Sequence, residues 1–382
     1  MNAMRTLLAL GFLASAALSA AAQDKVIADK IVWKGERTPT EGSVVNITFT
    51  QIKYRIGNSG SEQEDNARAV KDIVFDTDNT LIPYEYTHGL TALGKGDYKE
   101  AVKQFEKAID LIKKSNSPNH PIREFLRKRI LEAHLAQGDA PAVVTAAREL
   151  RKEKPDSFFL RESFLMQYEA AKMKRDAALQ NETIKELDAA IQSDRRFQEL
   201  QRDADLLRAD VLESNKKHAE ALALYNRLGA DRELWEEVSL GMLRCLSALG
   251  RTADLKQKVE NLLSELKEKR ESNPRVYLGA MIARGDLALS ENRIKDALLD
   301  FLKAALDPGP AANSLEHETA LARAALTCAR YGKQFGEKDK ENKILYLNRA
   351  REMREELKRT FPLSTALLAE IDAAINDAAR GQ

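Results

Sequence analysis

The chain has 382 residues, 43% hydrophobic and 31% charged, with 6% aromatics, 18 Gly and 10 Pro. That composition can bury a large aliphatic core, and it excludes a mostly disordered, collagen-like or low-complexity protein. Sixty Lys and Arg oppose 59 Asp and Glu, so the positive excess that non-specific phosphate binding requires is missing and no nucleic-acid partner is expected.

Arg5 precedes an apolar or small run over 6–22, with Leu7, Leu8, Leu10, Phe12, Leu13 and Leu18 at its centre and Ser19, Ala20, Ala21 and Ala22 at its end. A positive start, a short apolar stretch and a small-residue exit make an export signal, and the apolar part is shorter than the about 20 residues that span a bilayer. Residues 1–22 are therefore expected to be a cleaved signal peptide, with the mature protein periplasmic or secreted. No Cys near the exit offers a lipid attachment point, and no later stretch reads as a membrane span. Cys245 and Cys328 fall inside helical-looking stretches. Export permits them to pair without requiring it, and each reads as a small apolar core residue.

Between Lys30 and Phe75 apolar β-formers alternate with period two, which predicts strands at 31–33, 44–49, 52–56 and 70–75. Gly35, Gly42 and Gly57 punctuate them as turns, and 59–66, rich in Ser, Gly and acid, reads as an exposed loop. Strands this short suggest a small barrel-like β domain over 23–80 that leans on the residues C-terminal to it, because such a unit buries little alone. In the last strand Ile73, Val74 and Phe75 are all expected in its core.

After Pro83 the spacing turns helical and remains so to the end. A period is visible within it. Gly89, Tyr98, Ala101, Phe105 and Ala108 recur at equal offsets as Gly285, Ile294, Ala297, Phe301 and Ala304, followed by Pro308. Ala209, His218, Ala221, Tyr225 and Leu228 repeat the spacing, and Leu131, Gly138, Val143, Ala147 and Leu150, followed by Pro155, make a fourth copy.

These residues resemble the tetratricopeptide repeat, a helix-turn-helix unit of about 34 residues. The resemblance implies a mainly α fold over 81–382, a superhelical solenoid of about seven hairpins. Weaker copies lie at 158–191, where the turn signature is lost, at 235–266 and at 315–361. It also implies that small residues such as Gly89 and Ala101 let the helices of a hairpin approach, while Phe105 or Phe301 plugs the gap to the next hairpin. Together with the signal and the β segment, the chain is similar to exported bacterial multi-repeat proteins with a small SH3-like or Sm-like module at the N-terminus.

The strongest enzymatic temptation is IVFDTDNTLI over 73–82. It resembles the first motif of the haloacid dehalogenase phosphatases, in which Asp76 would attack phosphorus and Asp78 would act as general acid. That chemistry needs a parallel sheet carrying further residues, and no strand is predicted after residue 82, so the segment reads as a closing strand and a turn. As a calcium loop it fails, with Leu81 where Gly is needed and Thr87 where Glu is needed. His88, His120, His134, His218 and His317 are scattered, and neither a metal site nor a cofactor is expected. Charge runs such as 267–271 and 349–359 alternate sign as solvated helix faces do.

The family resemblance implies a concave face lined by the second, fifth, sixth, ninth and twelfth positions of each first helix. In the second copy these are Phe125, Lys128, Arg129, Glu132 and Leu135; in the copy around Ala209 they are Asp203, Leu206, Leu207, Asp210 and Glu213. The two-carboxylate clamp of some members wants Lys and Asn at the fifth and ninth positions, and Glu132 and Asp210 replace the Asn. The expectation is a non-enzymatic exported scaffold that binds a protein or peptide partner, with envelope assembly as its setting. The alternatives are a magnesium phosphatase acting through Asp76 and Asp78 and a structural repeat protein that binds cell-wall or polysaccharide material.

Overall fold

The computed structural model describes residues 28–56, 60–76, 82–115, 117–267, 272–335, 339–362 and 364–380. The expected export signal and Asp78 lie outside them. Five short strands come first: β1 (Asp29–Trp33), β2 (Thr40–Ile47), β3 (Gln51–Arg55), β4 (Glu62–Asn66) and β5 (Val70–Val74). They form one antiparallel sheet in the order β4-β3-β2-β1-β5. Ile31, Val44, Ile47, Ile52, Tyr54, Val70 and Ile73 turn inward, Ile52 and Tyr54 by alternation, and Val44 with Ile47 and Val70 with Ile73 because each pair spans a register shift. Register shifts between Val32 and Trp33 and between Val44 and Asn46 bend the strands that carry them. Asp29 of β1 is buried and ties its strand to β2 and to the segment that follows β5, its carboxylate accepting from the Val44 N–H at 3.0 Å and the Asp76 N–H at 3.1 Å.

Two expectations change here. The loop expected over 59–66 contains β4, whose residues are all exposed. With no apolar side chain it has no burial pattern to betray it, and it forms by pairing with β3 and through cross-strand bonds such as Tyr54 Oη to Asp65 at 2.7 Å and Lys53 to Glu64 at 3.3 Å. Val74, expected in the core, is 51% exposed, while Ile73 and Phe75 on either side are buried. Strand alternation decides this, since neighbours point to opposite faces.

Fifteen helices follow among the described residues. α1 (Tyr84–Gly94) to α6 (Ala177–Ser193) belong with the sheet to one compact unit that ends at Leu200; α7 (Gln201–Ser214) to α15 (Thr365–Arg380) make a second. In the first unit the hairpins are α1 with α2 (Tyr98–Lys113), α3 (Ile122–Gln137) with α4 (Ala140–Glu153), and α5 (Leu160–Met173) with α6. The sheet completes its core on them: Phe75 meets Phe125 edge-on at 4.9 Å and the Phe49 N–H donates to the Asp156 carbonyl at 2.8 Å. In the second unit α7 pairs with α8 (His218–Leu228), α9 (Trp235–Ala248) with α10 (Thr252–Glu265), α11 (Pro274–Ser290) with α12 (Ile294–Leu306), and α13 (Leu315–Lys333) with α14 (Lys340–Thr360). α15 packs on α13 and α14.

The first six hairpins turn in one way. Two positions before each second helix sits a residue with positive φ: Gly96 at 75°, Gly138 at 70°, Arg175 at 55°, Lys216 at 60°, Gly250 at 65° and Asn292 at 60°. The turn geometry thus persists over 158–191, where its sequence signature is lost. Asp97, Asp139 and Asp176 then cap the second helices by accepting from the Glu100, Ala142 and Leu179 N–H groups. Holding a non-glycine residue in this left-handed region costs about 1–2 kcal/mol, part of which glycine returns as chain entropy on unfolding. Arg175→Gly and Lys216→Gly, both at exposed positions, are therefore expected to raise stability by about 0.5–1 kcal/mol each in denaturant titration.

Inside two hairpins a glycine of the first helix faces an aromatic ring sixteen residues later. The pairs are Gly89 with Phe105 and Gly285 with Phe301; the same offset joins Leu131 to Ala147, Tyr168 to Ile184, Ala209 to Tyr225 and Leu243 to Val259 in the other hairpins. A Cβ on Gly89 would lie 2.3 Å from the Phe105 ring, and one on Gly285 2.5 Å from the Phe301 ring. Glycine is required there by a close approach, because close-packed interiors admit no added carbon without displacement. The aromatics therefore fill their own hairpins first. Tyr225 also meets the next hairpin, where a Cβ on Gly241 would lie 2.3 Å from its ring. Ala101, Ala108, Ala221, Ala297 and Ala304 are fully buried at the helix crossings, Tyr98 is half-buried, and Gly138 supplies a turn.

Candidate functional site

In the second unit three first helices build a groove of about 380 Å³. α9 contributes Leu240, Leu243, Arg244 and Ser247; α11 contributes Gly279, Ile282, Ala283 and Asp286; α13 contributes Leu315, Glu316, Thr319 and Arg323. Helices α9 and α11 touch closely because Gly279 carries no side chain, and a Cβ there would lie 2.4 Å from Leu240. The floor is aliphatic and the charges stand around it. Arg244 is committed to Glu213, which also accepts from the Tyr225 hydroxyl at 3.0 Å, and burial with that carboxylate beside it drives the phenol far above its ordinary range. Glu316 is held by Arg275 at 3.0 Å, and Arg275 also holds Glu236. Asp286 has a looser partner in Arg323, 3.5 Å away, and burial pushes its carboxyl above the usual range while Arg323 pulls it down.

The concave positions named from sequence are distributed differently. Phe125 is a core residue, enclosed by Phe75 at 4.9 Å and Phe159 at 4.7 Å, and offers no face to a ligand. Lys128, Arg129 and Glu132 do come together on α3, half-buried, with Arg129 paired to Glu132 at 2.8 Å and Lys128 also bonded to that carboxylate. Leu206, Asp210 and Glu213 lie on α7 in the other compact unit, Leu206 and Asp210 half-buried and Glu213 bound to Tyr225 and Arg244. The groove uses the same helical positions in later repeats. Counting the same offsets from Gly285 yields Gly279, Ile282, Ala283 and Asp286, and from Leu243 it yields Leu240, Arg244 and Ser247. That signal was present in the sequence, but apolar side chains at these positions are indistinguishable from core until the neighbouring helices are placed.

A smaller, polar cavity of about 220 Å³ lies in the first unit, lined by Asn46 of β2, by Asn119, His120, Arg123, Glu124 and Arg127 around the start of α3, and by Glu153 and Lys154 at the end of α4. Glu124, buried, bonds Lys154, the Ser157 hydroxyl at 2.7 Å and the Phe158 N–H at 3.1 Å. Glu153 is pushed up by burial but pulled down further by Arg127 and Lys113, to about 2. Its ion pairs therefore add stability that is full above the ordinary Glu value near 4.5 and is lost as pH falls from there through about 2. Glu153→Gln is expected to lower stability at pH 7 by about 1–2 kcal/mol and to flatten the acid limb of the stability-pH profile measured by denaturant titration.

Of the segment that resembles the phosphatase motif, 73–76 and Ile82 are described, and Asp78 lies outside the described residues. β5 leads to Asp76, whose carboxylate accepts the Ala28 N–H at 3.2 Å, and every described strand pair is antiparallel. Gly96-Asp97 and Gly138-Asp139 are turn and cap residues. Among the described residues no group of three or more His, Cys, Asp or Glu could hold a metal ion, and no helix is long and apolar enough to cross a membrane. Cys245 and Cys328 are separate, buried free thiols, each pushed up to about 12 by burial. Asp76→Asn, which keeps a side-chain acceptor for Ala28, is expected to change stability by no more than about 1 kcal/mol. A larger loss on thermal melting would show that the carboxylate does more than accept that N–H.

A tetratricopeptide repeat protein from Parabacteroides merdae is similar in structure over 76% of this chain and 97% of its own, with a TM-score of 0.52 at 11% identity. The chain has the tetratricopeptide-repeat fold. The structure of Naa15/Naa10 bound to HypK-THB aligns over 78% of this chain and 52% of its own with 14% identity, but its TM-score of 0.32 carries no weight for the fold. No protein-family model matches the chain, and no curated protein does. A tetratricopeptide fold at this low identity specifies the helical hairpin framework and leaves the groove chemistry to this chain's own residues.

Proposed function

We propose that this is an exported, non-enzymatic scaffold that holds a segment of a partner protein in the groove of α9, α11 and α13, in the setting of cell-envelope assembly. The observation that carries the reading is the groove itself: three consecutive first helices present an aliphatic floor with charges of both signs around it, which suits an amphipathic or extended peptide. Export is supported by the residues at 5–22. The antiparallel strand order, with a 3-10 turn at Ala67–Ala69 between β4 and β5, supports reading the sheet as an SH3-like or Sm-like module.

Two measurements test this. Intact mass of the native protein should place its first residue near Gln23, and a species that retains Met1 would count against export. A photo-reactive amino acid at Ser247, exposed at the groove, should crosslink to a protein in the producing cell, and Ile282→Arg should abolish the adduct. The same probe at Lys256, exposed on the second helix α10, should give none. Equal labelling from Ser247 and Lys256, or an adduct indifferent to Ile282→Arg, would remove the groove from the proposal.

A further inference from the structure

We infer that the polar cavity between β2 and the start of α3 is an oxyanion site, which takes a carboxylate or phosphate group; this is independent of the groove and of any partner it holds. The inference follows from which hydrogen bonds are spent. The carboxylates are fully engaged: Glu124 takes Lys154, Ser157 and the Phe158 N–H, and Glu153 takes Arg127 at 2.9 and 3.2 Å and Lys113 at 3.2 Å. Lys154 is consumed by Glu124, the Asn46 side-chain carbonyl and the Ile47 carbonyl. The groups left over are N–H donors, and one of them, Arg123 Nε, is buried.

Arg123 supplies the strongest of them. Its Nη1 donates to the Pro118 carbonyl at 2.6 Å and its Nη2 lies 3.5 Å from Glu153, but its Nε is buried and has no partner among the described residues. A buried guanidinium N–H without an acceptor is destabilising, and an anionic oxygen is its best complement. Beside it, His120 Nδ1 accepts the Ile122 N–H at 3.3 Å, which places the ring proton of the neutral imidazole on Nε2. Burial holds this imidazole below its ordinary range despite the nearby Asp29, so near neutrality it offers one N–H. Asn46 has its carbonyl occupied by Lys154 and keeps its amide N–H groups, while exposed Asn119 stands at the mouth. A ligand rich in acceptors, and negative to match Arg123, satisfies that set; a cationic or purely donating ligand does not.

The test uses the full chain with nitrogen-15 labels, following the Arg123 Nε–H and His120 ring signals during titration with inorganic phosphate, with acetate, and with chloride at matched ionic strength. Saturable shifts in phosphate or acetate beyond those in chloride are expected, and the tighter of the two identifies the source as a phosphate or a carboxylate group. Asn119→Asp, at an exposed position, places a negative charge at the mouth and should weaken binding about tenfold with the melting temperature unchanged; Arg123→Gln should abolish the saturable shift of His120. Shifts no larger than those in chloride, or binding unaltered by Asn119→Asp and Arg123→Gln alike, would overturn the assignment.

Discussion

Gly285→Leu is expected to destabilise the C-terminal unit by about 3 kcal/mol, at the upper end for overpacking, because even one added carbon would sit 2.5 Å from the Phe301 ring. Phe301→Ala alone, which empties a fully buried site, should cost about 3–5 kcal/mol. Combined, the two substitutions place Leu and Ala where Leu131 and Ala147 stand at the equivalent positions of another hairpin, both fully buried. The double variant should therefore be more stable than the sum of the single losses implies by about 2 kcal/mol or more. Denaturant titrations of the parent, both singles and the double close the cycle. Additive losses would mean that the pairing by size is coincidental and that each position answers to other neighbours.

Glu124→Leu should be comparably severe, about 3–5 kcal/mol, since it strands a cation instead of removing a pair. The lost carboxylate leaves Lys154, the Ser157 hydroxyl and the Phe158 N–H without their acceptor. Lys154 also reaches Asn46 and the Ile47 carbonyl at the end of β2, so loosening should appear as faster amide exchange in β2 and β3 before it appears in α1 and α2. Removing both charges, with Lys154→Met added, should recover part of the loss, because a matched apolar pair carries no uncompensated ion. If Glu124→Leu melts with the parent, the carboxylate is not the joint between sheet and helices.

Much of what depends on one element and its own burial could be read from the sequence, Val74 being an exception. Period-two alternation located β1, β2, β3 and β5, and the spacing of Gly89, Ala101, Phe105 and Ala108 set the hairpins, because a strand or helix that buries one face must repeat apolar residues at its own pitch. Features that depend on contacts between elements were decided only by the tertiary structure. β4 is wholly polar and exists because β3 offers it a ladder. Phe125, at a position that the family resemblance assigned to the concave face, was taken into the core by Phe75 and Phe159. The groove was assembled from Leu240, Ile282 and Thr319 on three separate helices. Along the chain, an aliphatic side chain on a helix face looks the same whether a neighbour covers it or leaves it open, and only the placing of α9, α11 and α13 distinguishes a closed core from an open groove.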